Sequence, residues 1–342
     1  MLSIATPMQV KENVSLKTYN TFGIDALARH FAAFRNVEEL QSLIAENGMP
    51  ALVLGGGSNL LLTKNIDGLV IKNDIKGIEP IQEDDNFYYI KAGAGENWHQ
   101  FVMDCIHKNR AGVENLSLIP GNVGASPMQN IGAYGVEIKE VFHSLDAFHL
   151  QDKTVVTFSA ADCSFGYRES IFKRKYKNQF VILNVSFRLD KKPVYHTSYG
   201  AITEELDKMG VKDLSIQSIS QAIINIRSSK LPDPAVIGNA GSFFKNPEVP
   251  EALHQSLLGR FPGIVGYRLQ NRNVKLSAGW LIEQCGWKGF RKGDAGCHAK
   301  QALVLVNYGN ATGKEVYDLS EEIVQSVAKR FGVTLEREVN II

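Results

Sequence analysis

Ile119-Pro-Gly-Asn-Val-Gly-Ala-Ser-Pro-Met-Gln-Asn-Ile-Gly-Ala-Tyr-Gly135 is the stretch on which the reading of this chain turns. Gly121, Gly124, Gly132 and Gly135, with Ala125, Ser126 and Ala133, keep side chains short, so the backbone can approach a flat or phosphorylated ligand closely. Ser126, Gln129 and Asn130 add hydrogen-bonding groups. Ile119, Val123, Met128 and Ile131 argue against a disordered linker. An irregular segment of this length inside a compact domain is usually functional. A plain glycine-rich surface loop is the alternative.

On either side the periodicity is mixed. Upstream, Phe87 to Ala92 alternates as a strand and leads through Gly93-Ala94-Gly95 into a helix from Asn97 to about Asn109. Trp98, Phe101, Val102, Cys105 and Ile106 share one face of that helix. Downstream, strands are predicted near 141–150, 154–158 and 180–189. Earlier in the chain, Asn36 and Glu39 mark a capped helix over 37–47 that Gly48 ends. A short strand at 51–54 then breaks at Gly55-Gly56-Gly57-Ser58-Asn59, before apolar runs at 60–62 and 69–71. In the last third, Ile219, Ala222, Ile223 and Ile226 repeat at helical spacing before Lys230-Leu-Pro-Asp-Pro234. Helices over 277–285 and 314–330 flank a strand at 302–306, and an alternating strand from Val333 to Ile341 closes the chain. The pattern is α+β in two or three lobes, as the 342-residue length also implies at about 150 residues per domain.

Composition narrows the function classes. A 44% hydrophobic and 21% charged chain can bury a sizeable core. With Lys+Arg 37 against Asp+Glu 36, the formal charge of +1 argues against a nucleic-acid groove. No run of about 18 apolar residues predicts a membrane span, and the first residues lack a secretory pattern. Cys105, Cys163, Cys285 and Cys297 have no metal-ribbon spacing, so no metal site is expected and free thiols are.

Four further segments carry weaker signals. The Gly55–Asn59 turn can form a backbone anion nest, but fits neither a dinucleotide fingerprint nor a P-loop. Arg168, within Cys163-Ser-Phe-Gly-Tyr-Arg-Glu-Ser170, offers a fork for a carboxylate or phosphate, or is a surface arginine. Ser242, within Gly238-Asn-Ala-Gly-Ser-Phe-Phe-Lys-Asn-Pro247, is not in a nucleophile elbow because Phe244 stands where Gly would be needed. It is a candidate proton donor or a turn serine. In Leu335-Glu-Arg-Glu-Val339, alternation puts Glu336 and Glu338 on one face and Arg337 on the other.

Taken in order, these segments resemble the UDP-N-acetylenolpyruvoylglucosamine reductase family of bacterial peptidoglycan synthesis. The matching stretches are Asn20-Thr-Phe-Gly23, Gly55–Asn59, Gly93–Trp98, Ile119–Gly135, Phe165–Arg168, Lys230–Pro234, Asn239–Pro247, Ala278–Ile282 and the terminal Leu-Glu-x-Glu-Val. The resemblance implies an α+β chain with an FAD-binding domain of the vanillyl-alcohol-oxidase (PCMH) type. Its two α+β lobes would lie at 1–75, joined by the terminal strand 332–342, and at 76–212, with an α+β substrate-binding domain at 213–331. It implies bound FAD, NADPH as co-substrate and an enolpyruvyl sugar nucleotide that takes a hydride at C3 and a proton at C2. Ser242 would then be the proton donor, with Arg168 and Glu338 stabilising the enolate-like intermediate. The flavin would lie against Gly55, Gly56, Gly57, Ser58, Asn59, Gly121, Gly124, Ala125, Ser126, Gln129, Asn130, Gly132, Ala133, Tyr134 and Gly135. Tyr199 matches a substrate-closing tyrosine of the longer members, and Lys230, Asn246 and Gln301 would bind substrate, the first two at its diphosphate.

Departures are few. The family often has Pro where Arg337 stands, which adds a charge beside Glu338, and Asn122 and Ala125 replace residues seen in some relatives. A cytoplasmic monomer with no nucleic-acid or membrane partner is expected. A flavin oxidase of the same binding class and a non-catalytic nucleotide-sugar binding module are the alternatives.

Overall fold

The computed structural model describes residues 9–199 and 201–342. The amino-terminal residues 1–8 read for a leader, and Gly200 beside Tyr199, lie outside the described residues. The fold is α+β and forms two compact units. One holds 9–14, 28–56, 66–199 and 201–229, and the other holds 15–27, 57–65 and 230–342. The second unit thus joins two short early segments to the last third of the chain, a pairing that no local periodicity reports.

In the first unit, Leu27–Phe34 and Leu52–Leu54 both run parallel to Ile66–Asn73, and Lys11–Ser15 adds an edge to this four-stranded sheet. The Val37–Asn47 helix crosses between strands, as parallel pairing requires. Asn36 accepts the Glu39 N–H at 2.8 Å while Glu39 reaches back to the Arg35 N–H, so the helix start is satisfied from both directions. A five-stranded antiparallel sheet follows, in the order Thr154–Ser159, Phe142–His149, Phe180–Asp190, Phe87–Gly93, Ile78–Glu83. Phe148, Val181 and Leu183 face the first sheet and its helix, whose Phe34, Leu40, Leu43 and Ile71 complete one core. Alternate residues such as Val185 and Phe187 face the Trp98–His107 helix instead. Phe101 and Phe187 stack at 4.6 Å with Trp98 alongside, and each of these buried rings contributes roughly 1.5–3 kcal/mol. The Ile216–Lys230 helix buries Ile219, Ala222, Ile223 and Ile226 against Ile202 and Leu206.

In the second unit, Gly238–Ser242 pairs with Val304–Asn307, which continues through Ala295–Cys297 to Arg291–Lys292. The Gly313–Phe331 helix packs on this sheet through Val316, Leu319, Ile323 and Val327. Thr312 and Glu315 form its capping box and Gly332, at φ +70°, its end. A second antiparallel sheet, Glu248–Pro250, Asn273–Leu276 and Gly266–Arg268, was not legible in the sequence. Its strands are three or four residues long, too short for an alternation to register.

The terminal segment departs from the expected continuous strand. Only Asn340–Ile341 is a strand, parallel to Leu60–Leu61. Before it, the chain pairs with Phe243–Lys245 through an isolated bridge between Phe244 and Arg337. A segment that changes partner midway keeps the alternation of a strand but has no single ladder.

Candidate functional site

The glycine-rich stretch is tied down along its length in the first unit. Trp98 donates its N–H to Gly121, Val123 to Glu96 and Gly124 to Ala94, at 2.8–2.9 Å. Gly132–Ala133 turns back on Val136–Glu137 as a small hairpin. Close approach explains two of the glycines. A Cβ on Gly56 would stand 2.9 Å from the Gly121 Cα, and one on Gly124 would stand 2.5 Å from the Ala94 Cβ. Gly55 has only ordinary contact there. Buried Ser126 donates its hydroxyl to the Val123 carbonyl, and buried Asn130 bonds Glu137, the Gly166 carbonyl and the Lys139 N–H. Their side chains therefore shape the loop, while Gln129 and Ala133 are half-buried. Ala125 is exposed.

Four non-glycine residues around this loop occupy the left-handed region: Leu118, Asn130, Tyr134 and Arg168, at φ +45° to +57°. Each such conformation costs about 1–3 kcal/mol unless the surroundings impose it, and such residues gather at functional sites. Here the surroundings do impose it. Leu118 donates its N–H to His99 Nδ1 at 3.0 Å, and Arg168 donates from its guanidinium to the Gly132 carbonyl at 2.6 Å. Accepting at Nδ1 assigns the His99 proton to Nε2. Burial, and secondarily the charge of Arg227, holds His99 below its ordinary range. Arg168, half-buried over the Tyr167 ring, is thereby fixed beside the hairpin of the glycine-rich stretch.

Arg227 escaped the sequence reading. It lies four residues after Ile223 on the apolar side of its helix, and a cation on an otherwise apolar stripe was the available signal. Its side chain interacts with the Tyr134 hydroxyl, while its buried Nε has no hydrogen-bond partner. No carboxylate pairs with it among the described residues. A cation sequestered this way is costly until an anion meets it. On its other side Tyr134 meets the exposed Tyr199 edge to face, with ring centroids 6.2 Å apart, and Gly135 lies against the same Tyr199 ring.

In the second unit, Ser242 ends its strand exposed, one residue before the fully buried Phe243 and Phe244. Glu338 donates its N–H to the Phe243 carbonyl at 2.8 Å and accepts at its own carbonyl from the Asn59 amide at 3.3 Å. The backbone of Glu338 thus lies between Phe243, the residue after Ser242, and the end of the Gly57-Ser58-Asn59 turn. Gly57, at φ +62°, passes so close to Tyr19 that a Cβ would stand 2.0 Å from its carbonyl oxygen. Glu336 pairs with the buried Lys245. Arg337 pairs with Glu321 at 2.6 Å, bonds Ser320 and lies over Tyr317, so its charge is answered by Glu321. Asn246 and Gln301 meet at the start of the Ala278–Gln284 helix. Asn246 accepts the Ala278 N–H at 3.0 Å, leaving its amide nitrogen as a donor, and Gln301 Oε1 lies against Gly279. Lys230 ends its helix exposed, apart from this pair.

A flavin nucleotide fits these groups. Arg227 would offer a cation to its anionic oxygens, and the tethered backbone of 121–135 would offer a wall with few large side chains. The three deeply buried thiols, Cys105, Cys163 and Cys297, are pushed up by burial, Cys163 and Cys297 to about 12, so none is poised as a nucleophile.

Comparison with known proteins agrees with this arrangement. The FAD binding domain family matches residues 28–159, and the family described as "UDP-N-acetylenolpyruvoylglucosamine reductase, C-terminal domain" matches residues 233–342. The UDP-N-acetylenolpyruvoylglucosamine reductases of Flavobacterium johnsoniae and Amoebophilus asiaticus are each 51% identical to this chain, over 98% of it and 100% of theirs. That of Pseudomonas aeruginosa is 48% identical over 98% of this chain and 99% of its own. The crystal structure of the Thermus caldophilus reductase superposes with a TM-score of 0.69 at 25% identity, covering 98% of this chain and 99% of that one. By sequence along nearly its whole length and by fold, the chain belongs to the UDP-N-acetylenolpyruvoylglucosamine reductase family.

Proposed function

We propose that this FAD-dependent oxidoreductase reduces UDP-N-acetyl-3-O-(1-carboxyvinyl)glucosamine to UDP-N-acetylmuramate at the expense of NADPH, a step of peptidoglycan precursor synthesis. The observation that supports the residue assignment is the backbone bond between Glu338 and Phe243, the residue that follows Ser242. FAD, once reduced by NADPH, supplies the hydride. Addition at C3 of an enol ether conjugated with a carboxylate drives negative charge onto that carboxylate and leaves C2 in need of a proton. Arg168 offers the charge-assisted donors that stabilise the first. Ser242 delivers its hydroxyl proton to C2, which suits a weak acid facing a strongly basic carbon, and Glu338 stabilises the same intermediate.

Around this centre, Gly55, Gly56, Gly57, Ser58, Asn59 and the 121–135 stretch hold the cofactor. Tyr199 closes over the substrate, while Lys230, Asn246 and Gln301 bind it, the amide and ammonium groups at its diphosphate. The lobes at 1–75 and 76–212, with 332–342 joined to the first, form the flavin domain, and 213–331 supplies the substrate contacts from Lys230 onward. No described helix is long and apolar enough to cross a membrane. A cytoplasmic monomer serving cell-wall biogenesis, and through it cell shape and division, is the setting this reading gives.

Anaerobic stopped-flow absorbance tests it. NADPH should bleach the bound flavin, and the enolpyruvyl sugar nucleotide should restore its colour far faster than oxygen does. Fast recovery with oxygen alone would instead mark an oxidase, and a chain unable to take up FAD a binding module.

A further inference from the structure

Asn115 lies in the short turn Glu114–Leu116 and is 1% exposed. Its amide nitrogen donates to two carbonyls from distant parts of the first unit, Tyr134 at 3.1 Å and His196 at 2.8 Å. Its Oδ1 is buried without a partner. Rotating the amide by half a turn would set that oxygen against both carbonyls, so the donor end alone fixes its orientation. Tyr134 is the penultimate residue of the glycine-rich stretch, and His196 lies three residues before Tyr199. The two tyrosine rings meet edge to face above this clasp.

His196 and Tyr199 are both exposed, and the residues from Pro193 to Tyr199 belong to no helix or strand. Within this segment the His196 carbonyl is held by the buried Asn115 amide, a contact anchored in the protein interior. We infer that Asn115 is a positioning residue that holds Tyr199 in register with the flavin-binding stretch, so that the tyrosine is placed to close on the sugar nucleotide. This rests on the reading of Tyr199 as a substrate-closing residue. Asn115 itself touches neither cofactor nor substrate and acts through the Tyr134 and His196 carbonyls.

A double-mutant cycle in the FAD-loaded enzyme tests the inference. Asn115→Leu keeps the side-chain volume and removes the donors. The KM for the enolpyruvyl sugar nucleotide should rise about tenfold, the value of roughly one lost net hydrogen bond, with a smaller change in kcat. In a Tyr199→Ala background the same substitution should leave KM unchanged. A merely structural Asn115 would add its effect to that of Tyr199→Ala, and that additivity would overturn the inference. So would an unchanged KM for Asn115→Leu beside a raised one for Tyr199→Ala. A normal KM for Tyr199→Ala removes the underlying reading, and the inference falls with it. Should Asn115→Leu fail to fold or to retain FAD, the near-isosteric Asn115→Asp decides. It faces both carbonyls with acceptors, and should raise KM in the Tyr199 enzyme only.

Discussion

Glu338 gives its backbone N–H to the carbonyl of Phe243, and this single bond places the carboxylate residue alongside the residue that follows Ser242. Phe243 and Phe244 are fully buried and Lys245 pairs with Glu336, so neither strand can slide without exposing aromatic surface or stranding a buried cation. The proposed proton donor and carboxylate are held by packing that itself takes no part in the chemistry.

Replacing Ser242 by Ala removes one exposed hydroxyl and leaves this packing intact. Flavin reduction by NADPH should stay near the wild-type rate, while re-oxidation by the enolpyruvyl sugar nucleotide slows by about a hundredfold or more. Stopped-flow traces in which both half-reactions keep their rates would remove Ser242 from the mechanism.

Arg337 stands where the family resemblance implies Pro, and the bridge geometry is compatible with either residue. The two flanking bonds use the N–H groups of Lys245 and Glu338, so the N–H of Arg337 is not needed there. Because its guanidinium is engaged with Glu321 and Ser320, Arg337→Ala should leave kcat within about twofold of wild type. Loss of its partly exposed ion pair should shift the urea unfolding midpoint only slightly. A large loss of activity with stability unchanged would mean that its charge does act on Glu338.

Arg227→Met keeps the length of the side chain and discards the charge. If this cation meets an anionic oxygen of the cofactor, FAD affinity should fall about tenfold or more, the usual worth of a charge-assisted hydrogen bond. Fluorescence titration of the FAD-free protein reads this directly, and wild-type affinity would show that the cation serves another group.

His99 links stability to pH. Its folded value is depressed, so its contribution is present above the ordinary imidazole value of 6.5 and is lost as pH falls through the lower folded value. The urea midpoint should therefore drop between about pH 7.5 and pH 5.5. His99→Gln, which retains an acceptor for the Leu118 N–H, should show a smaller drop. An equal drop in both proteins would assign the effect to other groups.

Much of the fold was legible because its signals are local. The Asn36 cap, the apolar stripes of the Trp98–His107 and Ile216–Lys230 helices and the alternation of Phe142–His149 each lie within one element. The three short strands around Val274 were not, since their pairing is made between elements. Arg227 was missed because a lone arginine in a helix reads as surface unless the apolar stripe is extended through it.

By itself the sequence determined the α+β class, the glycine-rich stretch as the centre of interest and, through resemblance, the family. Only the tertiary structure decided that Glu338 lies beside Phe243 and Asn59, that Arg337 turns to Glu321, and that Asn115 clasps two remote carbonyls. It also showed that Gly56 and Gly124 are small so that other backbone can pass them, not only to leave room for a ligand. The physical reason is common to all of these. Periodicity and capping arise from neighbours within a few residues. A buried amide, an unpaired cation or a missing Cβ takes its meaning from atoms a hundred or more residues away, which packing alone brings into contact.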